Sequence, residues 1–354
     1  MQPVRLAMIG TGLMGQRAHL EQYVSWPDCQ VVALAEPRRD LAARVAARYG
    51  IPEIYHDHLD LLDHAAFDGL VCIQPYAHHR ALLPDLYKAG KPILTEKPLA
   101  LSVAAGAWLA DMARSHGVTH MVGYHKRCDP AMEYARTVIR DWQSSGVSGR
   151  MTYLRVTMPP GEWTWNGFAA TLGSSEAYPE MAVERADEIE GLTPDQARAY
   201  DGFVNYYIHQ VNAIRYLLGE DYGVEYADAS GRLLVGRSVS GVMVVLEMAP
   251  WQNTIDWQER CLACFERATV QVDLPAPLAS QQAGRVELMI DNGQGLPRFE
   301  RPMLPTISAM RNQARHFIDL VRGEGTAPCL ADEAVRDLQV AYDYIRMRDG
   351  GSTR

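Results

Sequence analysis

The sequence predicts an α/β protein: a Rossmann fold, meaning a doubly wound parallel sheet, followed by an α+β domain built on an antiparallel or mixed sheet. Two patterns carry this. Over residues 1 to 123, short apolar runs alternate with helical segments joined by short loops, as βαβ units require. After Pro130 the texture changes, and strand-like runs follow one another without helices between them.

In order, the first half predicts strands at 4–10, 30–36, 69–73, 92–95 and 119–123. Helices are predicted between them at 13–24, 38–49, 58–64, 78–90 and 101–117. Gly50, Gly90 and Gly117 fall where helices end. A helix over 130–142 then leads to a strand over 150–158, and an irregular acidic insertion fills 159–201. We read that insertion as a solvated lid or an oligomer arm. One strong helix is predicted at 202–218, with Asp201 as its N-cap. Strands follow at 224–235, 238–248, 255–265, 268–273 and 285–290, and the chain closes with helices at 307–322 and 331–347. The natural division is 1–124 and 125–354, with the last helix a candidate to pack back on the first domain.

At 354 residues the chain exceeds the usual size of one hydrophobic core, so more than one domain is expected. A formal charge of −9 without a basic run argues against nucleic acid or an anionic membrane as partner. No apolar stretch is long enough to span a bilayer, and the first strand leaves no room for a signal peptide, so a cytoplasmic protein is expected. The 6 cysteines read most simply as free thiols. Cys261 and Cys264 form one CxxC, but within a strand they face opposite sides, so no metal is expected there.

Gly10-Thr11-Gly12-Leu13-Met14-Gly15 follows the apolar run Leu6-Ala7-Met8-Ile9 and opens a helix, the context a dinucleotide-binding GxGxxG loop needs. Its glycines allow a tight turn, close approach of backbone N–H groups to a pyrophosphate, and close helix–strand packing. The helix N-terminus favours the phosphates. Glu36 ends the second predicted strand, where a carboxylate accepts the ribose hydroxyls and repels a 2′-phosphate, so NAD is favoured over NADP. Arg38 and Arg39 leave two readings open: contact with a phosphate, or a salt bridge to Glu36 or Asp40.

At Ala89-Gly90-Lys91-Pro92-Ile93-Leu94-Thr95-Glu96-Lys97-Pro98 the chain resembles the Gfo/Idh/MocA family (glucose–fructose oxidoreductase, inositol dehydrogenase, rhizopine catabolism). The glycine loop, Ile73-Gln74-Pro75 with His79 beyond, Gly123-Tyr124-His125-Lys126-Arg127 before Asp129-Pro130, and a histidine ahead of Arg215-Tyr216-Leu217-Leu218-Gly219 agree in order. The resemblance implies a Rossmann domain beside a large open, mainly antiparallel sheet whose inner face holds substrate over the nicotinamide. It implies homodimers or homotetramers formed through the outer face. The substrates it implies are sugars, glycosides and polyols. Cofactor contacts are expected from Gly10, Gly12, Leu13, Met14, Gly15, Glu36, Arg38, Gln74, Pro75, His79, Glu96 and Lys97.

Lys97 lies just past a strand's carboxyl end, and the proline after it biases it away from helical geometry. Its ammonium can polarise the reacting oxygen, though a surface pairing with Glu96 is the plainer alternative. His209 is the candidate proton-transfer group, and on the predicted helix Asn205, His209 and Asn212 form one polar stripe. Here the chain departs from the family's Asp-x-Gly-x-His-x-x-Asp: it reads Asn205-Tyr206-Tyr207-Ile208-His209-Gln210-Val211-Asn212. With amides for carboxylates, His209 should be a weaker base. Tyr124, Tyr206 or Tyr207 could share the proton chemistry or bond substrate, and Arg127 and Lys126 could meet an anionic substrate or brace the hinge. Trp163 and Trp165 are stacking candidates for a sugar ring, or else core or interface residues. The leading expectation is NAD-dependent oxidation of a secondary hydroxyl, with Lys97, His209 and Asn205 as catalytic residues. The alternatives are redox-neutral glycoside cleavage by oxidation, elimination and reduction with retained NAD, or a non-catalytic dinucleotide-binding regulator.

Overall fold

The computed structural model describes residues 2–350 apart from 249, 250, 253, 292 and 294. Its contacts divide the chain into two compact units: Met1–Tyr124 with Asn166–Ile189 and Met310–Val335, and His125–Trp165 with Glu190–Ala309 and Arg336–Arg354. The expected single cut at 124/125 is therefore incomplete. Part of the acidic insertion and the penultimate helix return to the first unit, and most of the last helix does not.

The first unit runs β1 (Val4–Ile9), a widened helical turn (Gly15–Leu20) leading into α1 (Glu21–Tyr23), β2 (Cys29–Ala35), α2 (Arg39–Tyr49), β3 (Glu53–Tyr55), α3 (His58–His64), β4 (Gly69–Cys72), α4 (His79–Tyr87), β5 (Ile93–Glu96), α5 (Val103–Ser115) and β6 (His120–Gly123). All its strand pairs are parallel, in the order β3-β2-β1-β4-β5-β6. The order reverses between β1 and β4, which sets the ligand crevice at their carboxyl ends. The strands are apolar on both faces because helices cover both. Leu6, Met8, Val31, Leu34, Val71, Leu94 and Met121 are buried against Leu41, Ala42, Val45 and Ala46 of α2 and against Ala314, Phe317 and Ile318 of the helix Ala309–Arg322. Arg315 and Arg322 of that helix pair with Asp28, at 2.8 and 2.6 Å. β3 escaped the sequence reading because it is short and has no buried residue.

The second unit runs α6 (Pro130–Ser145), β7 (Met151–Thr157), α7 (Pro194–Tyr206), α8 (Ile208–Leu218), β8 (Tyr222–Ala227), β9 (Leu233–Ser238), β10 (Met243–Glu247), β11 (Glu259–Phe265), β12 (Ala268–Leu274), β13 (Arg285–Ile290) and β14 (Arg298–Glu300); the helices Ala309–Arg322 and Ala331–Gly350 are α9 and α10. Its strands form one eight-stranded sheet, β14-β13-β12-β11-β7-β10-β9-β8, antiparallel except for β7–β10. Strict alternation puts Leu154, Val156, Val244, Leu246, Cys261, Ala263, Val270 and Val272 on a buried face covered by α6 and α8, and leaves the other face open. Cys261 is buried and Cys264 half-buried on alternate sides of β11.

Two expectations fail here for local reasons. The predicted strand 224–235 is two strands, because Asp228 accepts from the Ser230 N–H (3.2 Å) and Gly231, at φ 74, makes a turn between them. The predicted helix 202–218 is also two elements. α7 begins earlier, at a capping box in which Thr193 and Gln196 satisfy each other's backbone N–H groups, with Pro194 in its first turn. Asp201 is therefore inside a helix and is not its cap. α7 ends where Tyr207 (φ −100, ψ −3) breaks the run, its hydroxyl anchored to the Met248 carbonyl at 2.7 Å. Among the described residues no helix is long and apolar enough to cross a membrane.

Candidate active site

The glycine loop leaves β1 with Gly10 at φ +88, a left-handed conformation, and any side chain there would collide with the Ile73 carbonyl and the Gln74 amide. A Cβ on Gly15 would lie 2.5 Å from the Gly10 carbonyl oxygen, so the helix packs directly on the loop. Gly12 differs: a Cβ there would meet nothing nearer than Arg38, at 3.9 Å. Its bare backbone therefore faces open space at the start of the helix, and the residues present fit a dinucleotide pyrophosphate. Leu13 is exposed and Met14 half-buried beside it. The turn Gly15–Leu20 is bonded i to i+5, a local widening frequent at functional sites.

Glu36 is not the open acceptor the sequence suggested. Its side chain is wholly buried and accepts from the Thr11 N–H (3.0 Å), the Thr11 hydroxyl (3.1 Å) and Arg38 Nε and Nη2 (2.6 and 2.9 Å). Burial pushes its pKa up, but the bonds from Arg38 and Thr11 outweigh it, and the carboxyl stays below its usual range. Of the readings left open for Arg38, the salt bridge to Glu36 is the one observed.

The strand ends opposite carry the rest of the first unit's candidates. Gln74 is buried beside Gly10 and accepts from the Tyr178 hydroxyl, and Pro75 is exposed. His79 is fully buried, held to the Leu99 carbonyl at 2.9 Å. Burial pushes its pKa down to about 4, so its ring is a neutral brace under the 97–99 segment rather than a surface presented to a ligand. Glu96 ends β5; one of its oxygens meets His19 Nε2 at 2.7 Å and the other accepts the Lys97 N–H at 3.2 Å. Lys97 follows, half-buried, joined to Pro98 by a cis peptide. Tyr124 lies in the core at 2% exposure, so it does not face a substrate as expected.

In the second unit His209 is half-buried in the first turn of α8, its ring edge-on to buried His125 with centroids 4.5 Å apart. Because the helix breaks at Tyr207, Asn205 lies exposed near the end of α7, and the continuous stripe Asn205–His209–Asn212 does not exist. Asn212 is buried. It accepts from Arg127 Nε at 2.7 Å and donates to Asp337 at 2.7 Å, while Asp337 also pairs with Arg215 at 2.8 Å. Arg127, 4% exposed, lies 5.1 Å from the Tyr216 ring centroid. It is a framework residue and not the substrate contact expected. Lys126 is likewise buried, against Glu259, which also accepts from Gln210 (2.8 Å) and Trp257 (3.2 Å).

Tyr206 accepts the Gly161 N–H at 3.4 Å, and the rings of Tyr206 and Tyr207 meet edge-on. Burial raises the pKa of both phenols, so each holds its proton more tightly than a free tyrosine does. Trp163 packs with them against Met158, Trp257, Ala276 and Ala279, whereas Trp165 is 45% exposed at φ 43.

Sequence reasoning missed several residues. His19 buries its ring against Glu96. Gln16 clamps the backbone of Leu172, and Tyr178 sits over Arg38. His19 carried a usable signal, a histidine one turn after the glycine loop; Tyr178, in an irregular stretch, carried none.

Fold and loop together define a Rossmann-type dinucleotide-binding protein with an appended open sheet. Comparison with known proteins agrees. Residues 4–124 match the family model described as an oxidoreductase family with an NAD-binding Rossmann fold. Inositol 2-dehydrogenase 1 of Saccharopolyspora erythraea is 32% identical over 99% of this chain and 95% of its own length. The chain belongs to the Gfo/Idh/MocA oxidoreductase family. The NAD(+)-dependent scyllo-inositol 2-dehydrogenase of Bacillus subtilis is 26% identical over 65% of this chain, and the match spans 58% of that protein's length. The aldose–aldose oxidoreductase of Caulobacter crescentus, solved with glycerol, shares the fold at a TM-score of 0.71 and 20% identity, over 99% of each chain.

Proposed function

We propose that the protein moves a hydride between NAD and a secondary hydroxyl or keto carbon of a sugar, glycoside or polyol. The observation that carries this is Lys97, which leaves the carboxyl end of β5 on the same sheet edge as the glycine loop, its backbone N–H tied to Glu96. Support for the substrate class comes from relatives named as inositol dehydrogenases.

Gly10, Gly12, Leu13, Met14 and Gly15 would hold the pyrophosphate, with Glu36, Gln74, Pro75 and Glu96 bordering the rest. The bound dinucleotide would supply the hydride acceptor. Lys97 donates a hydrogen bond to the reacting oxygen and stabilises negative charge growing there. His209 accepts the hydroxyl proton. Tyr206 and Trp165 border the sugar.

The test is NADH absorbance against a panel of cyclitols, aldoses and glycosides, for the unaltered protein and Lys97→Ala. Turnover with at least one member is expected, falling about 10²–10³-fold in the variant, as for loss of an oxyanion donor, while dinucleotide still binds. A panel with no turnover, or a variant as fast as the parent, would sink the assignment.

A further inference from the structure

Asn166–Ile189 folds with the first unit although both its neighbours in sequence belong to the second. Its contacts, in order, trace a path. Ala170 and Gly173 carbonyls accept from Arg48 (2.5 Å) and Arg44 (2.6 Å) of α2. Leu172 exchanges both backbone bonds with the Gln16 side chain, each 2.9 Å, and Gln16 also donates to the Thr11 carbonyl at 2.8 Å. Glu176 accepts the Asp40 N–H (3.1 Å) in the first turn of α2. Tyr178 reaches Gln74 beyond β4 and lies over the Arg38 guanidinium, 5.4 Å from ring centroid to carbon. Glu184 donates its N–H to the Ala77 carbonyl (2.8 Å), and its carboxylate accepts from Leu101 (3.0 Å) and Ser102 (2.9 Å) just before α5. With strands ordered β3-β2-β1-β4-β5-β6, the segment passes from the β2 side, over β1 and β4, to β5. It crosses the carboxyl ends at the point where the strand order reverses, which is where a dinucleotide lies.

The segment has almost no regular structure of its own, only the short turn Ala186–Glu188, so side-chain anchors hold it. The anchoring hydrogen bonds, and the Glu176 carboxylate at the N-terminus of α2, favour the closed position. The backbone entropy lost on ordering an irregular segment opposes them. A ligand that binds beneath the closed segment shifts the balance further to closed. Arg38 is also engaged twice, by Glu36 along its edge and by Tyr178 over its face. A 2′-phosphate approaching that guanidinium meets the Glu36 carboxylate along its edge and the Tyr178 ring over one face.

We propose that Asn166–Ile189 is a strap completing the dinucleotide site, that it sets the rate at which the nucleotide leaves, and that Tyr178 selects NAD against NADP by covering Arg38. This rests on reading the first unit as the dinucleotide site. A slowly released nucleotide is also what redox-neutral glycoside cleavage requires.

The experiment loads the full-length protein with NADH and chases with excess NAD, following NADH fluorescence in stopped flow. The double variant Glu176→Ala/Glu184→Ala is expected to release NADH at least tenfold faster than the parent. Tyr178→Ala is expected to raise NADP affinity relative to NAD about tenfold. In the unaltered protein, NAD should slow amide hydrogen exchange within 166–189, a readout that stands even if a variant folds poorly. Equal release rates, or exchange in 166–189 indifferent to NAD, would overturn the strap; an unchanged NADP-to-NAD ratio would overturn the role of Tyr178. Failure of the unaltered protein to bind either nucleotide would instead remove the proposed function itself.

Discussion

Asn212 stands where the family pattern carries an aspartate, and read alone that amide looks like lost catalytic basicity. Its surroundings give another account. The anion that meets Arg127 and Arg215 comes from Asp337 on α10, and Asn212 bridges, accepting from the guanidinium and donating to the carboxylate. Burial raises the Asp337 pKa, with Arg215 and Arg127 opposing. A buried cluster of this kind is expensive to break from one side, because the remaining charges stay desolvated. Asp337→Asn keeps the shape and removes the charge, so it should cost about 3 kcal/mol or more. Urea unfolding checks this, and a loss under about 1 kcal/mol would show that the guanidiniums find other compensation. Lys97 and the glycine loop were legible because their types and spacing are local; the Asn212–Asp337 partnership was not, because nothing in sequence ties residues 212 and 337.

At the scale of elements, the parallel strands were readable because continuous apolar runs and glycine stops are strong local signals. Register and breaks were harder. α7 and α8 read as one helix since Tyr206-Tyr207 fits helical periodicity, and only the distant Met248 carbonyl reveals the joint. The capping box Thr193-Pro194-Asp195-Gln196 was present in the sequence, yet lay inside a stretch that looked irregular. The same acidic stretch hid the strap, whose anchors are long-range bonds with no periodicity. Under the proposed function the joint positions the proton-transfer group, because His209 sits in the turn that follows it. Tyr207→Phe removes the hydroxyl bond and nothing else, so stability should fall by about 1 kcal/mol. If the joint sets the pose of His209, kcat should fall several-fold while dinucleotide affinity is unchanged. An unchanged kcat would reduce Tyr207 to ordinary packing.

Across the whole molecule the two units should answer acid in opposite directions. In the first, burial pushes His79 down to about 4 and His120 down to about 3; His120 is held between Tyr87 (2.8 Å) and Thr95 (2.9 Å). The unfolded histidine titrates near 6.5. These groups are thus neutral when folded but take a proton on unfolding, so their contribution is complete above about 6.5 and fades as pH falls towards 4. At pH 5 each should have cost the first unit about 2 kcal/mol. In the second unit, burial raises Asp129 to about 6 against the N–H bonds of Ala131 and Gly284. Asp337 moves in the same direction. A carboxyl raised on folding keeps its proton longer in the native state, so lowering the pH from 7 to 5 should strengthen this unit by about 1 kcal/mol for Asp129 alone. Hydrogen exchange in mild denaturant at pH 7 and 5, corrected for intrinsic rates, separates the two. Protection should fall for amides in β1–β6 and rise for those in β7–β13. His79→Gln should roughly halve the first response and leave the second untouched. Protection moving the same way in both units would mean that global charge, and not these buried groups, governs the acid response.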